Sequence, residues 1–153
     1  MIDGIELNRL KIIENKNGNI FHFLKCNEKS YKGFGEVYIS TIKTNSIKAW
    51  KKHLKMTCNF IVPAGKIKIV VFDDRKESHT KSEIQEFILS PKNYYRLTIP
   101  PNIWFGFSSL SNKDSFLINF ADIVHDPDEK IDKELNFIDF KIGRAHVRTP
   151  VTA

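Results

Sequence analysis

Lys51 and His53 stand two apart in residues 47–75, IKAWKKHLKMTCNFIVPAGKIKIVVFDDR. On an extended strand residues two apart face the same side, so an amine and an imidazole are presented together. An imidazole titrates near pH 6.5 when unperturbed, which suits a general base, and a lysine serves where burial or neighbouring cations depress its pKa. Proton transfer is the chemistry these two residues offer. Lys48 and Trp50 lie at the same end of the stretch, and Asp73, Asp74 and Arg75 close its far end. His22, His79 and His125 have no partner visible in sequence and are not assigned to catalysis.

The elements that position these residues read as strands. Residues 47–55 alternate loosely, 59–62 are short and apolar, and 66–72 begin alternating and end as a buried run. Pro63-Ala64-Gly65 is the turn between the last two. Upstream, residues 5–14 and 19–27 are β-like around Asn15-Lys16-Asn17-Gly18, a hairpin signal. Residues 36–43 set Val37, Ile39 and Thr41 against Tyr38, Ser40 and Ile42. Further strands are predicted over 84–89, 94–99, 103–110 and 115–123. Only 128–136 has helical character, with acidic residues early, as the helix dipole prefers. Short strands with turns every 8 to 12 residues or so indicate an antiparallel sandwich or jelly-roll barrel.

The 153 residues, 41% hydrophobic and 27% charged, suit one ordinary globular domain. No apolar run approaches the roughly 20 residues of a membrane helix. The first residues, MIDGIELNRLKII, lack the ordered regions of a signal peptide, so the expectation is a cytoplasmic protein without a membrane partner. Cys26 and Cys58 form no metal or disulfide pattern and read as reduced thiols. The net charge of +6 is spread over strands and turns with no nucleic-acid motif. Nucleic acid is therefore not the expected partner, and the lysines suit a diphosphate-bearing small molecule.

Three features together resemble a known family. The first is Ala49-Trp50 followed by His53, then the Pro-Ala-Gly turn and an apolar strand ending in Asp73-Asp74-Arg75. The second is Ile99-Pro100-Pro101-Asn102-Ile103-Trp104-Phe105-Gly106-Phe107, and the third is NFADIVHDPDE, residues 119–129. In this order and spacing, across residues 12–129, they resemble the dTDP-4-dehydrorhamnose 3,5-epimerases of the cupin superfamily. The resemblance implies an all-β, cupin-type double-stranded β-helix, or jelly-roll barrel, with a short C-terminal helix and a ligand in the barrel mouth. It implies a nucleotide-sugar partner, no cofactor and a homodimer.

The family's Arg-Gly-x-His segment supplies an arginine for the substrate phosphates and a histidine that removes the proton beside the sugar ketone. Here it reads Lys48-Ala49-Trp50-Lys51. The resemblance thus puts Lys51 at the position of the family's base, and Lys51 with His53, on the shared strand face, is the candidate catalytic pair. The family's acidic tyrosine falls near Ile118, and its late histidine-orienting aspartate finds no matching position. Lys48, Trp50, Trp104, Phe105 and Asn119 are the implied substrate-binding residues. Asp73 and Arg75 join them, with an internal ion-pair brace as their other reading. Metal-binding cupins converge two or three histidines and a glutamate on one ion. The matching positions here are Lys51, His53, Thr57 and Phe105, and one ligand of four implies no metal.

Three functions follow from the resemblance: epimerisation of a dTDP-4-keto-6-deoxyhexose for surface polysaccharide precursors, a related 3,4-ketoisomerisation, and sugar-nucleotide binding without chemistry. Residues 142–153, IGRAHVRTPVTA, break with the Lys/Asn/Ile-rich composition and resemble a translated sequencing adapter. The expected domain is therefore residues 1–141, followed by a non-native tail that packs against nothing. Without Arg144 and Arg148 the chain has 22 basic and 18 acidic residues.

Overall fold

Pairing nests about a central hairpin. β7 (Ile67–Phe72) pairs with β8 (Ile84–Leu89), β6 (Cys58–Ala64) with β9 (Tyr95–Ile99), β5 (Ile47–His53) with β10 (Trp104–Ser109), and β4 (Glu36–Ile42) with β11 (Ser115–Ala121), all antiparallel. A long two-stranded ribbon folded across itself in this way is a jelly roll. The chain forms the cupin-type barrel that the sequence predicts. This computed structural model describes residues 1–140 and Ile142.

Two five-stranded sheets result. One runs β1 (Glu6–Arg9), β9, β6, β11, β4, and the other runs β12 (Lys130–Asp132), β5, β10, β7, β8. The predicted hairpin is present as β2 (Ile12–Ile13) paired with β3 (Ile20–Phe21), turned by a bond from Gly18 N to Asn15 O at 3.0 Å.

The apolar residues of facing strands fill the space between the sheets. Phe60, Val62, Leu97, Ile99 and Leu117 meet Ile67, Ile69, Val71, Phe87 and Phe105 there. The run over β7 is apolar on both sides because both are covered. Ile69 and Val71 face this core, whereas Val70 joins Trp50, Trp104, Ile138, Phe140 and Ile142 in a second cluster behind the sheet. The turn before β7 needs its glycine, since Gly65 has φ +84° and a Cβ there would sit 2.2 Å from Ser115 Oγ.

Two expectations change at the C-terminal end. Residues 128–136 do not form a helix. They give a 3₁₀ turn at Pro127–Glu129, the strand β12 and a second 3₁₀ turn at Leu135–Phe137, because β5 offers its free edge to the backbone of Lys130, Ile131 and Asp132. No α-helix occurs among the described residues, and no helix is long and apolar enough to cross a membrane.

Ile142, placed by sequence in a tail that packs against nothing, is 1% exposed, and its carbonyl accepts a 3.0 Å bond from Ser108 Oγ. It fills the second cluster over Trp50 and Val70, so the packed chain extends at least this far. The rest of the proposed tail lies outside the described residues.

Candidate active site

A bulge sets the geometry of β5. Phe105 pairs with Lys51 and Phe107 with Lys48, so Ala49 and Trp50 together oppose the single Gly106. Two residues against one is the signature of a β-bulge, which re-aims the side chains around it. Gly106 accommodates it, since a Cβ there would lie 2.6 Å from that of Ala49. Lys48 and Lys51, three apart in sequence, consequently line one cavity of about 340 Å³ between the sheets. That size is within the usual range for small-molecule sites.

Phe60, Phe105, Phe107 and Leu117 supply the apolar wall of this cavity. Lys48, Lys51 and Lys133 give it positive charge, and Asp132, Tyr38 and Ser40 complete its polar lining. Lys48 Nζ donates to Thr41 O at 2.8 Å, which steadies it beside β4. Asp132 lies opposite Lys51 in register and is bonded to Lys130. That bond holds the Asp132 carboxyl low against its burial, helped by the charges of Lys130 and Lys51.

His53 is buried and stacks on Phe105, with ring centroids 5.9 Å apart. Its Nδ1 hydrogen-bonds Glu129 Oε1, while Glu129 Oε2 accepts from the backbone amides of Leu54, Lys55 and Met56 at 3.2, 3.1 and 3.2 Å. Burial lowers the His53 pKa, and Lys51 and Lys130 lower it further, against the pull of Glu129. Burial raises that of Glu129, but its bonds to His53 and the backbone outweigh this and hold it below the ordinary carboxyl value. The pair is therefore a carboxylate accepting a hydrogen bond from a neutral imidazole, with Nδ1–H as donor. A carboxylate that fixes the tautomer of a histidine is a base-orienting arrangement.

Tyr38 enters the cavity from the facing sheet. Asn119, its register partner on β11, is fully buried and donates from Nδ2 to Tyr38 Oη at 3.0 Å. Burial raises the Tyr38 phenol, and Cys58, Glu36 and Glu129 add to this, while the Asn119 bond opposes it. Behind Asn119, burial pushes the Cys58 thiol up to about 12, so it is an inert core residue.

The substrate-binding set read from sequence divides in the fold. Lys48, Trp50 and Phe105 line the cavity, although the Trp50 ring packs in the second cluster and its Nε1 donates to Leu135 O at 3.1 Å. Trp104 does not line it. Alternation along β10 turns its ring outward, where it meets Phe137 and Lys52 and donates to Asp74 Oδ2 at 2.8 Å. Asn119 stands behind Tyr38 and not in the lining.

Asp73 and Arg75 form the brace, because a fully buried carboxylate requires donors. Arg75 reaches Asp73 through Nε at 2.8 Å and Nη2 at 2.9 Å, Ser78 and Thr80 add hydroxyls at 2.6 and 2.7 Å, and Arg75 Nη2 holds Asp3 O at 2.6 Å. Burial raises the Asp73 carboxyl, but these donors overcome it and leave it well below the usual carboxylate range. Among the described residues no three His, Cys, Asp or Glu side chains gather as a metal site requires.

The family model for dTDP-4-dehydrorhamnose 3,5-epimerase matches residues 9–147. The chain belongs to that family. A dTDP sugar isomerase of solved structure from Desulfovibrio desulfuricans G20 is 34% identical with a TM-score of 0.88, and the match covers 92% of this chain and 91% of that one. The probable low-salt glycan biosynthesis epimerase Agl13 of Haloferax volcanii is 28% identical over 84% of this chain and 86% of its own. The spore coat polysaccharide biosynthesis protein SpsL of Bacillus subtilis is 27% identical over 94% and 95%.

Within the epimerase family frame, sequence reasoning missed Tyr38, Glu129, Asp132 and Lys133. Glu129 ends the third matched segment, which was the available signal. Tyr38 was signalled only by sharing a strand face with Ser40 and Ile42.

Proposed function

We propose that the protein epimerises or isomerises a dTDP-linked 4-keto-6-deoxyhexose during synthesis of a surface polysaccharide precursor. One observation carries this reading. Lys51 and Tyr38 line the same cavity from facing sheets, so a sugar between them has a proton-carrying group on each side. The 4-keto group acidifies the neighbouring C–H. Lys51 is placed to take that proton and leave an enolate, and Tyr38 returns a proton to carbon from the other side, inverting the centre.

His53, oriented by Glu129, is the second candidate base; it does not itself line the cavity but stacks on Phe105, which does. Lys48 and Lys133 hold the diphosphate as point charges, and Phe105 and Phe107 pack against the sugar or base. The names of the relatives, an epimerase of glycan synthesis and a polysaccharide biosynthesis protein, support the pathway class. A homodimer belongs to the same proposal. Val37, Ile39 and Phe116 leave an exposed apolar strip on the outer face of β4 and β11 that a second copy would cover, and sedimentation velocity tests it.

The deciding experiment is solvent-deuterium uptake into dTDP-4-keto-6-deoxyglucose, followed by NMR. Exchange beside the ketone is expected. Binding of the nucleotide sugar with no exchange, for this and other 4-keto substrates, would leave a binding protein in place of the enzyme.

A further inference from the structure

We infer that Asn119 is a positioning residue that fixes the direction of the Tyr38 hydroxyl, forcing its proton into the cavity. The inference rests on the proposed role of Tyr38 as proton donor, and the geometry behind it is independent of that role. Asn119 Oδ1 accepts from the backbone N–H of Asn59 at 3.1 Å. A backbone amide can only donate, so the oxygen of the Asn119 side chain must face Asn59 and its nitrogen must face away.

That nitrogen lies 3.0 Å from Tyr38 Oη, with Met56 Sδ, a weak acceptor, at 3.9 Å. An amide NH₂ has no lone pair to give, so Tyr38 is bound to be the acceptor in this contact. Its single O–H therefore points elsewhere, and the open side of Tyr38 is the cavity it lines. A backbone amide on β6 thus dictates, through one buried side chain on β11, which way a phenol on β4 donates.

The carboxylate of Asn119→Asp is nearly the same size and shape as the amide, and it reverses this logic. Its first oxygen still accepts from Asn59, but its second is an acceptor where the amide was a donor. Tyr38 then turns its proton toward position 119 and away from the cavity. Asn119→Ala removes the donor, leaves a void, and frees the hydroxyl to point either way. A packing role predicts that alanine harms more than aspartate, and the directional role predicts the reverse.

Two measurements test this. In turnover of dTDP-4-keto-6-deoxyglucose, read by NMR as inversion at the carbon beside the ketone, Asn119→Asp should lose about a hundredfold or more in the bound-state rate, the scale of a lost general acid, and Asn119→Ala less than about tenfold. In the Tyr38→Phe background the aspartate should add nothing further. An alanine variant as slow as the aspartate variant, or an undiminished aspartate effect without Tyr38, overturns the inference.

The second measurement needs no substrate. The phenolate absorbance of Tyr38, taken as the difference between each protein and its Tyr38→Phe counterpart, should titrate at successively higher pH in the parent, Asn119→Ala and Asn119→Asp. Cys58, Glu36 and Glu129 act on the same phenol, Lys48, Lys51, Lys133 and Asp132 line its cavity, and all are common to the three proteins. Should Asn119→Asp not fold, the alanine variant alone must titrate above the parent, and an unmoved midpoint overturns the inference. A parent that fails to exchange deuterium while its Tyr38 titration shifts as stated would refute the enzyme reading and leave the directional role of Asn119 standing.

Discussion

Glu129 grips His53 with one carboxylate oxygen and, with the other, the three backbone amides that follow His53 in the chain. One side chain both orients the imidazole and ends the strand that carries it. Removing it should be among the costliest single changes in the protein. Glu129→Ala leaves three amides and a buried ring unpartnered and is expected to lose roughly 3–5 kcal/mol in urea unfolding. Glu129→Gln keeps an acceptor oxygen and should lose distinctly less. Equal losses would show that the carboxylate does not hold the amides.

Stability should fall with acid in two stages. The folded His53 pKa lies below its ordinary 6.5, so the unfolded chain takes up the proton first as pH falls, and stability declines from about pH 6.5 downward. The folded Glu129 and Asp73 pKa values are also depressed, so a second loss begins near their ordinary values of 4.5 and 3.8. Denaturant midpoints measured between pH 8 and pH 3.5 check this. Asp73→Asn should flatten the lower stage, and His53→Gln the upper one.

Lys48 lines the cavity with its Nζ donating to the Thr41 carbonyl, and in the proposed mechanism it supplies charge without a part in proton transfer. Lys48→Ala should weaken dTDP binding, with a smaller salt dependence than the parent, and leave the bound-state exchange rate largely intact. Lys51→Ala should do the opposite, abolishing exchange while binding survives. Calorimetry and NMR exchange on the two variants separate these effects.

Ile142 should matter to stability. It is buried over Trp50 and Val70, so Ile142→Ala is expected to destabilise by about 2–4 kcal/mol, as for other buried aliphatic truncations. A thermal melt matching the parent would return Ile142 to a tail without structural role.

Metal content gives a further check. His53 is the only histidine at the four cupin ligand positions, and its Nδ1 is committed to Glu129. Elemental analysis should find no stoichiometric transition metal, and EDTA should leave the melting temperature unchanged.

Most of the barrel was legible because its strands carry their burial in their composition. β7 reads as a run apolar on both sides, and its two covers are visible in the fold as two clusters. β4 was legible as a strand but misleading as to its facing. Val37 and Ile39, its more apolar pair, are 52% and 64% exposed, whereas Tyr38 and Ser40 face inward, because the space they border is a cavity lined in part by charged residues. Hydrophobic alternation points a strand toward a core and gives no guidance where the interior is a binding site. Glu129 was hidden for another reason. An acidic residue after Asp126-Pro127-Asp128 reads as a helix start, and only the free edge of β5 turns the segment into a strand that delivers Glu129 to His53.

The His53–Glu129 contact joins positions 76 residues apart, and this separation governs when the site can exist. A chain leaving the ribosome has already exposed β5 through β10 by the time Glu129 emerges, and until then the amides after His53 lack their acceptor. Contacts that close such long loops are intrinsically slow to form. The barrel can therefore complete its apolar interior, which ends with Leu117 and Ala121 of β11, before His53 meets Glu129. In the proposed mechanism, an oriented His53 is thus one of the last features the molecule acquires as it folds.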